Sequence, residues 1–220
     1  MRAWSAGLLG LCGLGLLCWP FLQPSVQAHR TAVAQERLAD ELPVGAAVAD
    51  ARGIPVAAQR GVGDPLGVLR IPRLGPAWAW VAVEGTGLPQ LALGPGHYRR
   101  TPPPGARGNV GIAAHRAGHG EPFADFDRLR PGDEVVFEQG EHRWTYHLET
   151  APRIVGVDAS WVLAPTDGRR LTLTTCWPRY GSSKRMFVRG RLVRAERRMS
   201  DGWQPAGRSA GDRPAAASGR

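Results

Sequence analysis

The run Arg170-Leu-Thr-Leu-Thr-Thr-Cys176-Trp-Pro178 and, across Tyr180-Gly-Ser-Ser-Lys184, the run Arg185-Met-Phe-Val-Arg-Gly-Arg-Leu-Val193 decide how this chain folds. Both runs are short, rich in Thr, Val, Leu and aromatic residues, and free of internal Pro, as strands are. Side chains alternate along a strand, so Leu171 and Leu173 face one way while Thr172, Thr174 and Cys176 face the other. The more polar face therefore ends in a thiol. Pro178 cannot donate to a sheet ladder and stops the strand just beyond it. A hairpin that returns after the Gly-Ser-Ser turn brings Arg185, nine residues on, back beside Cys176.

Working outward, similar short runs recur at Gly67 to Ile71, Ala79 to Val83, Asn109 to Ala114, Glu134 to Glu138, Arg143 to Ala151 and Arg153 to Val157. With the first two they make eight strands, and the 29 Gly and 19 Pro supply the turns between them. Strands at such spacing with no long helix between them predict a mainly β fold, a closed or nearly closed barrel. Short helical turns fit at Leu88 to Leu91 and at Pro122 to Leu129, where Phe123 and Phe126 share one face.

The ends read differently. From Ala3 to Leu22 no charge occurs, a length that spans a bilayer as a helix. A cleavable signal is the competing reading, but the Val and Gln before Ala28 make a poor cleavage site. Residues 1–23 are therefore expected to be an uncleaved, single-pass membrane anchor, with the rest of the chain on the extracellular face. Residues 24–64 read as a spacer with one short helix over Thr31 to Leu42, residues 65–193 as the barrel, and residues 194–220 as a disordered basic tail.

The 28 Lys+Arg against 19 Asp+Glu give a net charge of +9, but Lys184 is the single lysine and the arginines are spread along the chain. That distribution, behind an export segment, excludes a nucleic-acid partner. Of three cysteines, Cys12 and Cys18 lie in the apolar segment, which leaves Cys176 without an intrachain disulfide partner in an oxidising compartment. A lone Cys ending an apolar strand is ordinarily a packed core thiol. Its position on the polar face at a strand end favours a nucleophile instead. His115 ends the run Asn109-Val-Gly-Ile-Ala-Ala-His115 in the same manner. A thiol, an imidazole and a guanidinium are the parts of thiol acyl transfer: the thiolate attacks a carbonyl, the imidazole moves protons, and the guanidinium donates to the oxyanion or the substrate backbone.

Leu171-Thr-Leu-Thr-Thr-Cys176 with Arg185 nine residues on, Gly108-Asn-Val-Gly-Ile-Ala-Ala-His115-Arg116, Gly94-Pro-Gly-His-Tyr98 and Arg130-Pro-Gly-Asp-Glu134 together resemble the sortases, most of all the actinobacterial type called class E. The resemblance covers roughly Gly67 to Val193. It implies an eight-stranded sortase-type barrel and a cysteine transpeptidase without cofactor or metal, in which Cys176 is the nucleophile, His115 the general acid/base and Arg185 the oxyanion or substrate stabiliser. The implied substrates are secreted proteins with a C-terminal Leu-Pro-x-Thr-Gly or Leu-Ala-x-Thr-Gly signal, cut between Thr and Gly. The implied acceptor is an amine of a peptidoglycan precursor or a pilin.

Six further residues are candidates for substrate binding. Arg116 and His119 are expected at the mouth of the groove, and His97 and Tyr98 in the loop beside the active site. Thr175 is placed to bring a hydroxyl or N–H near the oxyanion, and Trp177 either walls the acceptor side or covers the barrel end. His119 and Trp177 depart from the family pattern, which often has an aromatic near the former and Asn or His at the latter. Gly118 and Gly120 argue against the helix that would make His115 and His119 a zinc pair. Two rival readings stand beside this one. An exported L,D-transpeptidase also pairs Cys with His, but its Ser-His-Gly-Cys run is absent. A non-catalytic basic barrel would bind anionic wall polymer through its arginines.

Overall fold

The computed structural model describes residues 23, 25–42, 47–50, 53–58 and 60–206. The segment read as a membrane anchor lies outside the described residues, as does the end of the tail. Among the described residues no helix is long and apolar enough to cross a membrane.

Residues 25–40 form helix α1. Strands follow as β1 (Ala47–Ala49), β2 (Pro55–Ala57), β3 (Pro65–Arg70) and β4 (Ala79–Glu84), then the short helix α2 (Leu88–Leu91), β5 (Gly96–His97) and β6 (Gly108–Ala113). The hairpin β7 (Glu134–Gln139) and β8 (His142–Leu148) precedes β9 (Arg153–Gly156), β10 (Arg169–Trp177), β11 (Lys184–Met199) and β12 (Gly202–Pro205). Single 3-10 turns occur at Pro72–Leu74, Phe126–Arg128 and Ser160–Leu163.

The barrel is a ring in the order β10-β6-β5-β4-β3-β7-β8-β11, which closes because β11 pairs back onto β10. Neighbours run antiparallel except β6 with β10 and β4 with β5. The expected eight strands are therefore present, with one exchange of members. The strand at Arg153–Gly156 lies outside the ring and pairs with β11 alone, and its ring place is taken by β5, whose two residues are too few to show any periodicity.

Alternation explains what is buried. In β7 the pattern Glu-Val-Val-Phe-Glu-Gln turns Val135, Phe137 and Gln139 inward. Trp144 and Tyr146 of β8 fill the barrel with Leu66, Leu69, Ile112, Leu171 and Leu173. Buried polar groups in this core have partners, as they must. Trp144 Nε1 donates to Pro55 O at 2.7 Å, the Gly105 N–H donates to Tyr146 Oη at 2.8 Å, and Gln139 Nε2 donates to Leu66 O at 2.7 Å.

Two regions read as spacer or tail are ordered parts of this body. α1 begins earlier than Thr31 and lies against the barrel wall, with Thr31, Gln35, Leu38 and Leu42 on one face at helical spacing. Leu38 packs with Val81, Val83 and Leu93. At the other end β11 does not stop near Val193. It runs to Met199, paired with β8 as far as Arg197↔His142 after a bulge between Leu192 and Arg194, and turns back into β12. The ladder from β8 carries this extension, and its arginines find partners on the surface, Arg194 with Glu134 at 2.9 Å and Arg197 with Glu141 at 3.1 Å, while Arg143 of β8 lies over the Trp203 ring of β12 at 4.0 Å. An extension whose two faces are both wet shows no apolar alternation, which is why it resembles a disordered tail in sequence.

Gln35 is the main polar link between α1 and the barrel. The Val81 N–H donates to its Oε1 at 2.7 Å, while its Nε2 donates to Val81 O at 3.0 Å and Leu93 O at 2.8 Å. Gln35→Ala leaves those backbone groups unpaired and is expected to lower stability by about 1–3 kcal/mol in chemical denaturation. A loss below about 0.5 kcal/mol would show that water replaces these bonds at no cost.

Candidate active site

Three strand ends meet at one rim of the barrel. In the β10–β11 ladder Cys176 is the direct cross-strand partner of Arg185. Residues so placed have Cβ atoms about 4.5–5.5 Å apart, so the returning hairpin sets the guanidinium beside the thiol. On the other side β6 runs parallel to β10 with Ala113 opposite Thr174. The contact continues past the strand end, since the Ala114 N–H donates to Thr174 O at 3.2 Å and Thr175 Oγ1 donates to Ala114 O at 2.8 Å. Two further residues in that register carry His115 level with Cys176.

These three residues line a single cleft of about 740 Å³. Tyr98, Arg116 and Thr175 line it as well, as does Arg179. Leu88 and Leu91 of α2 make one side apolar, and Leu88 is 79% exposed. Beyond Tyr98 a second hollow of about 450 Å³ shares Thr86 with the first and reaches Ser160 and Leu163.

The electrostatics of the cleft are one-sided. Arg185 Nη1 donates to Ser182 O and Lys184 O, both at 3.0 Å, and among the described residues no carboxylate pairs with it. Its charge is oriented by carbonyls and remains uncompensated, which suits a group that must meet a developing oxyanion. The pKa of His115 lies below the ordinary histidine value, chiefly because burial disfavours the imidazolium and secondly because His119 adds like charge. Cys176 is half-buried and is the free thiol among the described residues.

The remaining candidates divide. Tyr98 points its hydroxyl at Thr174 Oγ1, 2.9 Å away, and so ties the loop after β5 to β10. Arg116 lines the cleft but is only 5% exposed. Its Nη2 donates to Asp127 at 2.8 Å, and its guanidinium lies 4.8 Å from the centre of the Trp177 ring. Thr175 spends its hydroxyl proton on Ala114 O, which leaves its backbone as what it offers a substrate. Trp177, His97 and His119 do not line the cleft. Trp177 packs against the core with the Arg116 guanidinium over its ring. His97 is buried, with Nδ1 3.0 Å from Glu84 Oε1 and Nε2 3.1 Å from both Pro102 O and Thr101 Oγ1. A carbonyl only accepts, so Nε2–H donates to Pro102 O, and Nδ1 faces the Glu84 carboxyl group. This pair braces the loop rather than touching the cleft. Among the described residues no three His, Cys, Asp or Glu side chains gather as a metal site requires.

Sequence reasoning missed Arg179 and Tyr180. Arg179 pairs with Glu121 at 2.5 Å and joins the loop after β10 to the loop after β6. The partners are 58 residues apart in sequence, and no local pattern announces the pair.

Comparison with known proteins agrees with this geometry. A family model described as Sortase domain matches residues 69–193. Sortase SrtE1 of Streptomyces coelicolor is 38% identical over 111 residues, 44% of this chain and 32% of that protein. Sortase SrtE2 of the same organism is 35% identical over 99 residues, 41% of this chain and 39% of that protein. The match thus spans about a third to two fifths of the length of these curated relatives. Among solved structures, sortase E from Streptomyces avermitilis superposes with a TM-score of 0.59 at 39% identity, covering 63% of this chain and 93% of that one.

Because burial and a neighbouring imidazole both disfavour its charged form, the His115 ring is expected to titrate below about 6.5. The pH dependence of its Cε1–H NMR signal reads this directly. A midpoint at or above that value would mean that neither effect acts in solution.

Proposed function

The chain belongs to the sortase family, whose members are cysteine transpeptidases, and from that premise we propose that it cleaves a C-terminal sorting signal and transfers the protein to an amine. The observation that carries this reading is the cross-strand pair of Cys176 and Arg185 with His115 at the end of the neighbouring strand, all on one cleft.

In the proposed cycle a Leu-Pro-x-Thr-Gly-like or Leu-Ala-x-Thr-Gly-like segment lies in the cleft, its apolar side chain against Leu88 and Leu91. The Cys176 thiolate attacks the Thr carbonyl carbon and a tetrahedral oxyanion forms, with the Arg185 guanidinium as the charged donor nearest the strand end. The C–N bond to Gly breaks as the His115 imidazolium gives its proton to the leaving amine. A thioester to Cys176 remains. An acceptor amine then attacks the thioester and loses its proton to the neutral His115, and the Cys176 thiolate leaves. Water in place of the amine gives hydrolysis as a side reaction.

The acceptor in this reading is an amine of a peptidoglycan precursor or a pilin, and the substrates are secreted proteins with the signal. The uncharged segment from Ala3 to Leu22 supports an anchor that holds the barrel on the outer face of the cell membrane. Similarity to class E sortases from Streptomyces supports the alternative with Ala at the second signal position alongside Pro.

Incubating the full-length chain with a labelled signal peptide and an amine tests the reading. Cleavage and amine-dependent product are expected, and both disappear with Cys176→Ala. Arg185→Ala should lower kcat/KM by roughly 10²–10³, the loss typical of removing one oxyanion donor, and Arg185→Lys should restore it only in part. Cleavage that persists in the Cys176 variant would end the proposal, and salt-sensitive binding of anionic wall polymer without cleavage would favour the binding module.

A further inference from the structure

His119 was expected at the mouth of the groove beside Arg116. Its ring lies against the ring of His115, centroids 4.9 Å apart and planes inclined by 27°. The backbone bends to bring it there. His119 has φ 51° between Gly118 at 71° and Gly120 at 74°. With Glu121 also at φ 51°, four successive residues lie on the left-handed side, which is costly where a side chain is present, and histidine is among the non-glycine residues found there more often.

The bend is clamped from outside. A Cβ on Gly118 would lie 3.2 Å from Gln27 Oε1, and one on Gly120 would lie 2.6 Å from Trp80 Cη2 and 3.6 Å from Thr31 Cγ2. α1 and β4 therefore close over the loop, with no room for a side chain at Gly120 and a tight fit against the Gln27 side chain at Gly118. From within, Glu121 accepts from the Gly118 N–H at 3.1 Å and from Arg179 at 2.5 Å.

We propose that His119 is a positioning residue for His115: its ring backs the acid/base imidazole, and its proton competes with the one His115 must carry. This rests on the reading of Cys176 and His115 as an acyl-transfer pair. Two imidazoliums at this separation repel, so the rings hold one proton far more readily than two. Expulsion of the leaving amine needs a proton on His115, and a proton on His119 opposes it.

The surrounding groups do not cancel this effect. Arg116, Arg179 and Arg185 around the cleft are all positive. The carboxylate of Glu121 is engaged with Arg179 and the Gly118 N–H. On the α1 side Gln27 and Thr31 are uncharged. Cys176, Tyr98 and Tyr180 are the remaining titratable groups of the cleft, and only as anions would they favour a charged His115. The lowered pKa of His115, from burial first and His119 second, has the direction this arrangement requires.

Two variants of the full-length chain separate ring from charge. His119→Phe keeps the ring and removes the proton, while His119→Asn suits the left-handed backbone and removes both. In His119→Phe the His115 Cε1–H titration should move up by at least about half a pH unit, the effect of two unit charges this far apart even in water. The acid limb of kcat/KM should follow it, with the KM for the signal peptide unchanged. His119→Asn should show the same rise together with a several-fold lower kcat. An unmoved His115 midpoint in His119→Phe overturns the proposal, as does a higher KM at constant kcat, which would make His119 a substrate contact. A moved midpoint in a chain that cleaves no peptide supports the ring pairing and counts against the transpeptidase reading.

Discussion

Eight cross-strand pairs join β10 to β11, from Arg170↔Arg191 to Trp177↔Lys184, and this one ladder performs two tasks. It closes the ring of eight strands, and it holds Cys176 opposite Arg185. Register is what makes the two inseparable. A slip of one residue would turn Leu171 and Leu173 out of the core and carry Cys176 away from the cleft. Burial of the leucines therefore holds the thiol in place, and the stability of the barrel doubles as the positioning of its reactive group.

The second constraint is charge. The cleft gathers three guanidiniums and the His115 imidazole around one thiol, and the carboxylates nearby are already engaged by Arg116 and Arg179. Such a field favours an oxyanion at a carbonyl held in the cleft, while it disfavours a second cation at His115. The imidazole is thus kept ready to accept a proton and must be made to give one. His119 stacks on that imidazole from the bent Gly118–Glu121 loop under α1.

Much of this was legible from residues alone. Alternation in Leu171 to Cys176 assigned the faces of β10 correctly, the Gly-Ser-Ser turn returned the chain so that Arg185 met Cys176, and strand count led to the closed barrel. Other features were hidden for identifiable reasons. β5 is a strand only because β4 and β6 lie on either side of it, and its two residues carry no period. The far half of β11 is wet on both faces and shows no apolar pattern. The roles of His97 and Trp177 hinge on partners distant in sequence, Glu84 and Arg116, that no spacing rule connects.

The sequence by itself determined which chemistry is possible here: one thiol on a polar strand face, one histidine ending another strand, and one arginine at hairpin distance, since periodicity and turn residues are local properties. Only the tertiary structure decided that α1 belongs to the body of the protein, that the His119 ring lies against His115, and that Arg179 bridges two loops. Those outcomes depend on contacts between segments far apart in the chain, where packing and the pairing of buried polar groups choose among many partners that the sequence leaves equivalent.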